Sequence, residues 1–154
     1  MDGPFLIREP APSEAPEVCD LVRRVFDAYV GPEYPPEGTA EFYAFANPQA
    51  LAGRAGPGQV LLVAEQGGAL CGMIETRGLS HVSLLFVDRP GQGIARALFE
   101  RALAEGLARD PGMTRMTVNA SSYAEPVYRK LGFEPTGPRQ TRNGITFIPM
   151  AKVL

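Results

Sequence analysis

The sequence has no tryptophan, a single histidine (His81) and only two cysteines, Cys19 and Cys71, in 154 residues. With so few soft ligands, no Cys/His spacing of a zinc site can be drawn, and no metal is expected. Two isolated cysteines suit buried or idle thiols in a reducing compartment, so the cytoplasm is the expected location. No run or stripe of Lys and Arg occurs and the net charge is −2. The electrostatic footprint of a nucleic-acid binder is therefore missing. No apolar stretch approaches the roughly 20 residues that cross a bilayer, so no membrane partner is expected. The opening MDGPFLIREP lacks a basic region followed by an apolar one, so no signal peptide is expected either. What is present is ordinary for a globular chain: 45% hydrophobic and 21% charged residues. The length suits one domain, 1–154, with an ordinary core. The 15 prolines and 17 glycines fall between periodic segments and mark turns.

Taken in order, Phe5 to Arg8 reads as a short strand. Ser13 is placed to cap a helix in which Val18, Leu21, Val22, Val25, Phe26 and Tyr29 repeat as one apolar face. A shorter helix is expected from Thr39 to Phe45, and the rest of 31–58 reads as loop. Val60 to Ala64 and Leu70 to Thr76 read as a hairpin about Gly67-Gly68. A strand His81 to Val87 leads into a glycine turn and a helix from Gly93 to Ala108. A strand Met113 to Asn119 and a short helix Tyr123 to Leu131 follow. A last hairpin, Arg139 to Arg142 with Ile145 to Val153, turns at Asn143-Gly144. The strands joined through the Gly93 helix must run parallel, because the crossover is long. The fold class is α/β (α+β), a mixed sheet flanked by helices.

The stretch SLLFVDRPGQGIARALF, 83–99, carries the clearest chemistry. A buried strand, Leu84 to Val87, meets the turn Asp88-Arg89-Pro90-Gly91-Gln92-Gly93. A helix then begins, with Ile94, Leu98 and Ala102 in one row and Ala95, Phe99 and Leu103 in the next. Glycines let a ligand approach the main chain, and the unpaired N–H groups of the first turn carry partial positive charge. Together they form a phosphate cradle. No G-x-x-x-x-G-K-[ST] run exists, so a Walker loop is excluded. A dinucleotide fingerprint fails too, since Arg96 stands where its third small residue belongs and the turn lies past mid-chain.

The stretch resembles the acetyl-CoA motif of the GCN5-related N-acetyltransferases (GNAT), [QR]-x-x-G-x-[GA]. Gly93 and Ala95 fill the last two slots, while the first falls on Pro90 with Arg89 one place early. The loop is about two residues shorter than the family's. Residues 118–133, VNASSYAEPVYRKLGF, resemble the second family signature, A-x-x-x-Y-x-K-x-G-F, through Ala124, Tyr128, Lys130, Gly132 and Phe133.

The resemblance implies a mostly antiparallel sheet with one splayed parallel strand pair and coenzyme A in the wedge. The pantetheine arm would pair with main chain of Leu85, Phe86 and Val87. The pyrophosphate would lie on the N–H groups of Gly91, Gln92, Gly93, Ile94 and Ala95, with Arg89 beside them and Ser121 facing the pantetheine. The reaction implied is acetyl transfer from acetyl-CoA to a primary amine of a small molecule or protein. An alkylammonium of pKa about 10.4 is nucleophilic in roughly one molecule per thousand at neutral pH, so a base is needed. His81 is the candidate, since strand alternation puts it on one face with Ser83, Leu85 and Val87 and histidine titrates near neutrality. Many family members use a water chain instead. A main-chain N–H near Phe86 or Val87 would hold the oxyanion. Tyr128 is the expected proton donor to the leaving thiolate. Asn119 and Ser121 end the strand that forms the other lip of the wedge, and Asn119 suits a turn at least as well as a cofactor contact. Tyr34, Glu37 and Phe42 come from the region that covers the acceptor in the family. Dimers are frequent there, so a homodimer is a candidate assembly. A second reading stays open: a non-catalytic acyl-CoA-binding sensor or interaction module.

Overall fold

The computed structural model describes residues 3–154. Its strands are β1 (Leu6–Arg8), β2 (Leu61–Gln66), β3 (Ala69–Arg77), β4 (His81–Val87), β5 (Arg115–Ala120), β6 (Glu134–Pro135), β7 (Gln140–Arg142) and β8 (Ile145–Val153). They form one sheet in the order β1-β2-β3-β4-β5-β8-β6, with β7 hairpinned onto β8. All pairs are antiparallel except β4 and β5. The turns at Gly67-Gly68 and Asn143-Gly144 have positive φ at both residues, the backbone that a two-residue hairpin requires.

The parallel pair is where the sheet opens. β4 and β5 are in register only at His81↔Thr117 and Val82↔Val118. Beyond that point β4 continues to Val87 against β3, and β5 continues to Ala120 against β8. Each strand keeps its outer partner and loses its inner one. The result is a wedge between two halves of the sheet.

A bulge sits at the apex of the wedge. Glu75 pairs with Leu84 and Thr76 with Val82, so Ser83 is an extra residue on β4. The expected alternation is thereby corrected. Leu85 and Val87 pack with Val82 in the core beneath one face, whereas Leu84 and Phe86 join the core of the other. Arg77 lies two residues along β3 from Glu75, on the Leu84 side, and pairs with His81. His81 thus faces away from Leu85 and Val87, because the extra residue shifts the two-residue period by one.

Five α-helices among the described residues flank the sheet: α1 (Ala15–Val25), α2 (Pro36–Phe45), α3 (Pro48–Arg54), α4 (Ile94–Arg109) and α5 (Glu125–Lys130). α4 covers one face through Ile94, Leu98, Phe99 and Ala102. α1 covers the other through Val18, Leu21, Val22 and Val25. Three expectations change here. α1 does not begin at a Ser13 cap; Glu14 instead accepts the Ala11 N–H at 2.8 Å and binds Arg8. α1 also ends at Val25, followed by a wide turn over Phe26–Val30 closed by Gly31 N–H on Phe26 O. That turn takes an extra residue, so Val30 is buried at 5% exposure and Tyr29 is turned out at 52%. Finally, 31–58 is mostly helical rather than loop. α2 starts three residues early at Pro36, and α3 is capped by Asn47, whose Oδ1 accepts the Ala50 N–H at 2.9 Å.

α2 rests on the β7–β8 turn through two glycines. A Cβ on Gly38 would fall inside contact distance of the Gly144 carbonyl, and one on Gly144 would strike the Gly38 backbone. Gly→Ala in a helix interior normally gains about 0.5–1 kcal/mol. Here overpacking, about 1–3 kcal/mol, outweighs that gain. Gly38→Ala should therefore lower Tm by a few degrees in thermal unfolding, about 2–4 °C per net kcal/mol lost. An unchanged or raised Tm would mean that α2 does not bear on the turn.

Candidate active site

The wedge encloses a cavity of about 510 Å³ that runs from the glycine turn past the β4 bulge to α2 and the β7–β8 hairpin. At the first end, Gly91 and Gly93 have φ of +83° and +78°. A Cβ on either would meet nothing within 4 Å, so the turn faces open space. The first α4 bond is Ala97 N–H to Gly93 O at 3.0 Å, which leaves the N–H groups of Ile94, Ala95 and Arg96 without helical partners. Such a bend attracts an anion.

Side chains brace this turn from behind. Arg89 Nη1 donates to Gln66 O and Oε1 at 3.2 and 2.9 Å, and Gln66 Nε2 donates to Gln92 Oε1 at 2.8 Å. Gln92 is thereby held off the cavity, and only its main chain belongs to the turn. Arg89 borders the cavity but commits its guanidinium to Gln66. Asp88 accepts from Arg24 Nη2 at 2.8 Å. Arg96 Nη2 donates to Lys130 O at 2.9 Å and ties the turn to α5.

Along the wall, Asp88 N–H bonds Cys71 O at 3.0 Å. Alternation then aims the main-chain groups of Phe86 at β3 and those of Leu85 and Val87 into the wedge. Opposite them, Ser121 lines the cavity while its Oγ accepts the Ala124 N–H at 3.1 Å, capping the turn into α5. Tyr128 of α5 borders the same space. Its ring is packed edge-on against Phe133 at 5.4 Å, and burial pushes its pKa up, so it stays a phenol at neutral pH.

Past the bulge the lining becomes aromatic. Phe26 stacks on Phe42 at 3.9 Å, Phe42 meets Phe86 edge-on at 5.8 Å, and Tyr34 meets Phe26 at 5.5 Å. Tyr34 and Phe42 line the cavity as expected for that region, whereas Glu37 does not. His81 is half-buried here, its Nδ1 2.8 Å from Thr117 Oγ1. Burial and then Arg77 hold its pKa below the ordinary value, so the ring is neutral at pH 7. Sequence reasoning missed Arg77, Glu41, Arg142 and Phe147, all at this end. The Asn143-Gly144 turn was legible, but its seat on α2 depends on the contact with Gly38.

A family model described as an acetyltransferase (GNAT) domain matches residues 30–154. The chain belongs to the GNAT family. It is an acetyltransferase by that membership, and GNAT enzymes use acetyl-CoA. Among curated proteins no relative matches. Among solved structures, a GCN5-related N-acetyltransferase from Rhodopseudomonas palustris is similar at 23% identity and TM-score 0.80, covering 100% of this chain and 98% of that one. The PaiA N-acetyltransferase of Thermoplasma acidophilum, solved with coenzyme A, is 16% identical with TM-score 0.80 over 99% and 100%. The ribosomal-protein-S18-alanine N-acetyltransferase of Escherichia coli is 21% identical with TM-score 0.68 over 97% and 93%. These likenesses establish the GNAT fold, a mixed sheet with one parallel pair flanked by helices. The residues present also fit the GNAT cosubstrate: open glycine N–H groups for phosphate, and unpaired main chain at Leu85 and Val87 for an amide-bearing arm. No helix among the described residues is long and apolar enough to cross a membrane.

Proposed function

We propose that this chain, as a single catalytic domain, transfers the acetyl group of acetyl-CoA to a primary amine of a small molecule or protein. The observation that carries the reading is the two-position pairing of β4 with β5, which leaves a wedge facing the glycine turn. Gly91, Gly93, Ile94 and Ala95 would hold the pyrophosphate through main-chain N–H groups, with Gln92 contributing only backbone. Leu85 and Val87 would pair with the pantetheine, and Ser121 keeps its hydroxyl proton free to donate. Bound acetyl-CoA supplies an activated thioester whose acyl carbon is open to an amine.

The chain's own residues handle protons. His81 lies on the aromatic side of β4, where an amine would approach. In the tautomer whose Nδ1–H donates to Thr117 Oγ1, Nε2 is the proton acceptor. Tyr128, a phenol on the opposite wall, donates to the departing sulfur. Of the two N–H groups expected for the oxyanion, that of Phe86 is turned to β3, which leaves that of Val87 to face it. The test is thiol release from acetyl-CoA across an amine library.

A pH profile separates the base from the donor. Protonated imidazole cannot accept, so kcat/KM should fall as pH drops through the His81 pKa, which lies below 6.5. The acidic limb should vanish in His81→Ala, with a lower plateau. A limb that persists in that variant would assign the base elsewhere.

A further inference from the structure

We propose that the acceptor is a small amine with an apolar body and an anionic group, held by Arg77 and Arg142; this rests on the transferase reading above. Most arginines of the fold are engaged. Arg8, Arg24, Arg54, Arg101, Arg109 and Arg129 bind carboxylates, Arg89 binds Gln66, and Arg96 and Arg139 bind a carbonyl and a hydroxyl. Arg77 and Arg142, like Arg23 and Arg115, make no hydrogen bond or ion pair among the described residues, and of these four Arg77 and Arg142 line the cavity.

Both also sit on firm backbone at the end away from the glycine turn. Arg77 closes β3 and pairs in register with His81. Arg142 closes β7, lies over the Phe147 ring at 5.7 Å, and is next to the turn that Gly38 and Gly144 lock to α2. A guanidinium with free donors on a fixed strand end is suited to a carboxylate or phosphate. Glu41 is the one carboxylate residue in the lining. This end therefore carries two cations against one anion, so a second ammonium on the acceptor meets net repulsion and an anionic group meets attraction. Between these charges and the bulge the wall is Phe26, Tyr34, Phe42 and Phe147, which has no use for a polyol or polyamine but covers an aliphatic or aromatic body. The two requirements converge on one class: an amine whose nitrogen reaches His81, whose body lies on the rings, and whose anion reaches the rim.

The experiment is thiol release with acetyl-CoA and matched acceptors: phenylalanine, its decarboxylated amine, an aromatic amine bearing a phosphate, and spermidine. The inference expects one or both anionic aromatic amines to have the highest kcat/KM. The better of the two arms identifies the anion as carboxylate or phosphate. Arg142→Gln and Arg77→Gln should each raise KM for that acceptor about tenfold more than for the neutral amine, the loss of one charge-assisted hydrogen bond. KM for acetyl-CoA should not follow. Preference for the neutral amine or for spermidine, or equal effects of the substitutions on all acceptors, would overturn the inference while leaving the transferase reading intact. Absence of thiol release with all four and with every amine of a wider library would overturn both.

Discussion

Tyr128→Phe should lower kcat for acetyl transfer by about 10²- to 10³-fold, in the range general-acid groups contribute, with the KM for acetyl-CoA nearly unchanged. The substitution keeps the ring, and with it the edge-on contact with Phe133 at 5.4 Å and the place of α5 against the core. Only the O–H is lost. That hydroxyl has no protein partner among the described residues, so its removal strands no buried group and Tm should hold. A departing thiolate gains from a nearby acid, and a phenol kept protonated by burial is one. The measurement is steady-state thiol release with circular-dichroism melting of the same sample. Unchanged kcat would take Tyr128 out of the mechanism. A fall in kcat accompanied by an equal loss of folded protein would make it a packing residue.

The second large effect is on stability. Glu75 is fully buried, 0% exposed, in the middle of the sheet. Arg54 of α3 grips it with two bonds of 3.0 Å and donates a third, at 2.8 Å, to Phe45 O. Its guanidinium also lies 3.7 Å from the Phe45 ring centroid. Ser83 donates to Glu75 O at 3.0 Å and lies 3.2 Å from its Oε1. One carboxylate thus joins α2, α3, β3 and the bulge that opens the wedge. Arg54→Met leaves that carboxylate buried without its cation, which costs about 3–5 kcal/mol. At about 2–4 °C per kcal/mol for a chain of this size, Tm should drop on the order of 10 °C. Adding Glu75→Leu to Arg54→Met should recover most of the loss, because an apolar pair of similar volume is often neutral. A single variant that melts with the parent protein would show the pair to be incidental. A double variant no better than the single would place the cost in α3 packing instead.

Much of this was written in local sequence. His81 to Val87 and Ile145 to Val153 are strands with the bounds their patterns suggest, because continuous apolar runs between turn residues leave little choice. Gly93 and the Tyr128 signature placed the cavity, since a positive-φ glycine before a helix and a tyrosine on the facing helix are local facts. What escaped depended on pairing. Ser83 as a bulge cannot be read from β4 alone, for it exists only in register with Glu75 and Thr76, and it moved His81 to the other face. Tyr29 was misread because a wide turn after Val25 breaks the helical period. α3 carried a readable signal in Asn47-Pro48, obscured by the prolines and glycines around it. Arg77 and Arg142 are far apart in sequence and share a cavity only after the hairpin docks on α2.

The central claim is that β4 and β5 part after Val82 and that coenzyme A takes the place of the missing strand pairing. Residue-resolved amide hydrogen exchange, with and without coenzyme A, tests it. The account predicts that the N–H groups of Leu85, Val87 and Ile94 exchange quickly in the free protein and slow markedly on binding, while those of Thr117 and Val118 stay slow throughout. Leu85 and Val87 amides already protected without ligand, or unchanged when coenzyme A is bound, would contradict it.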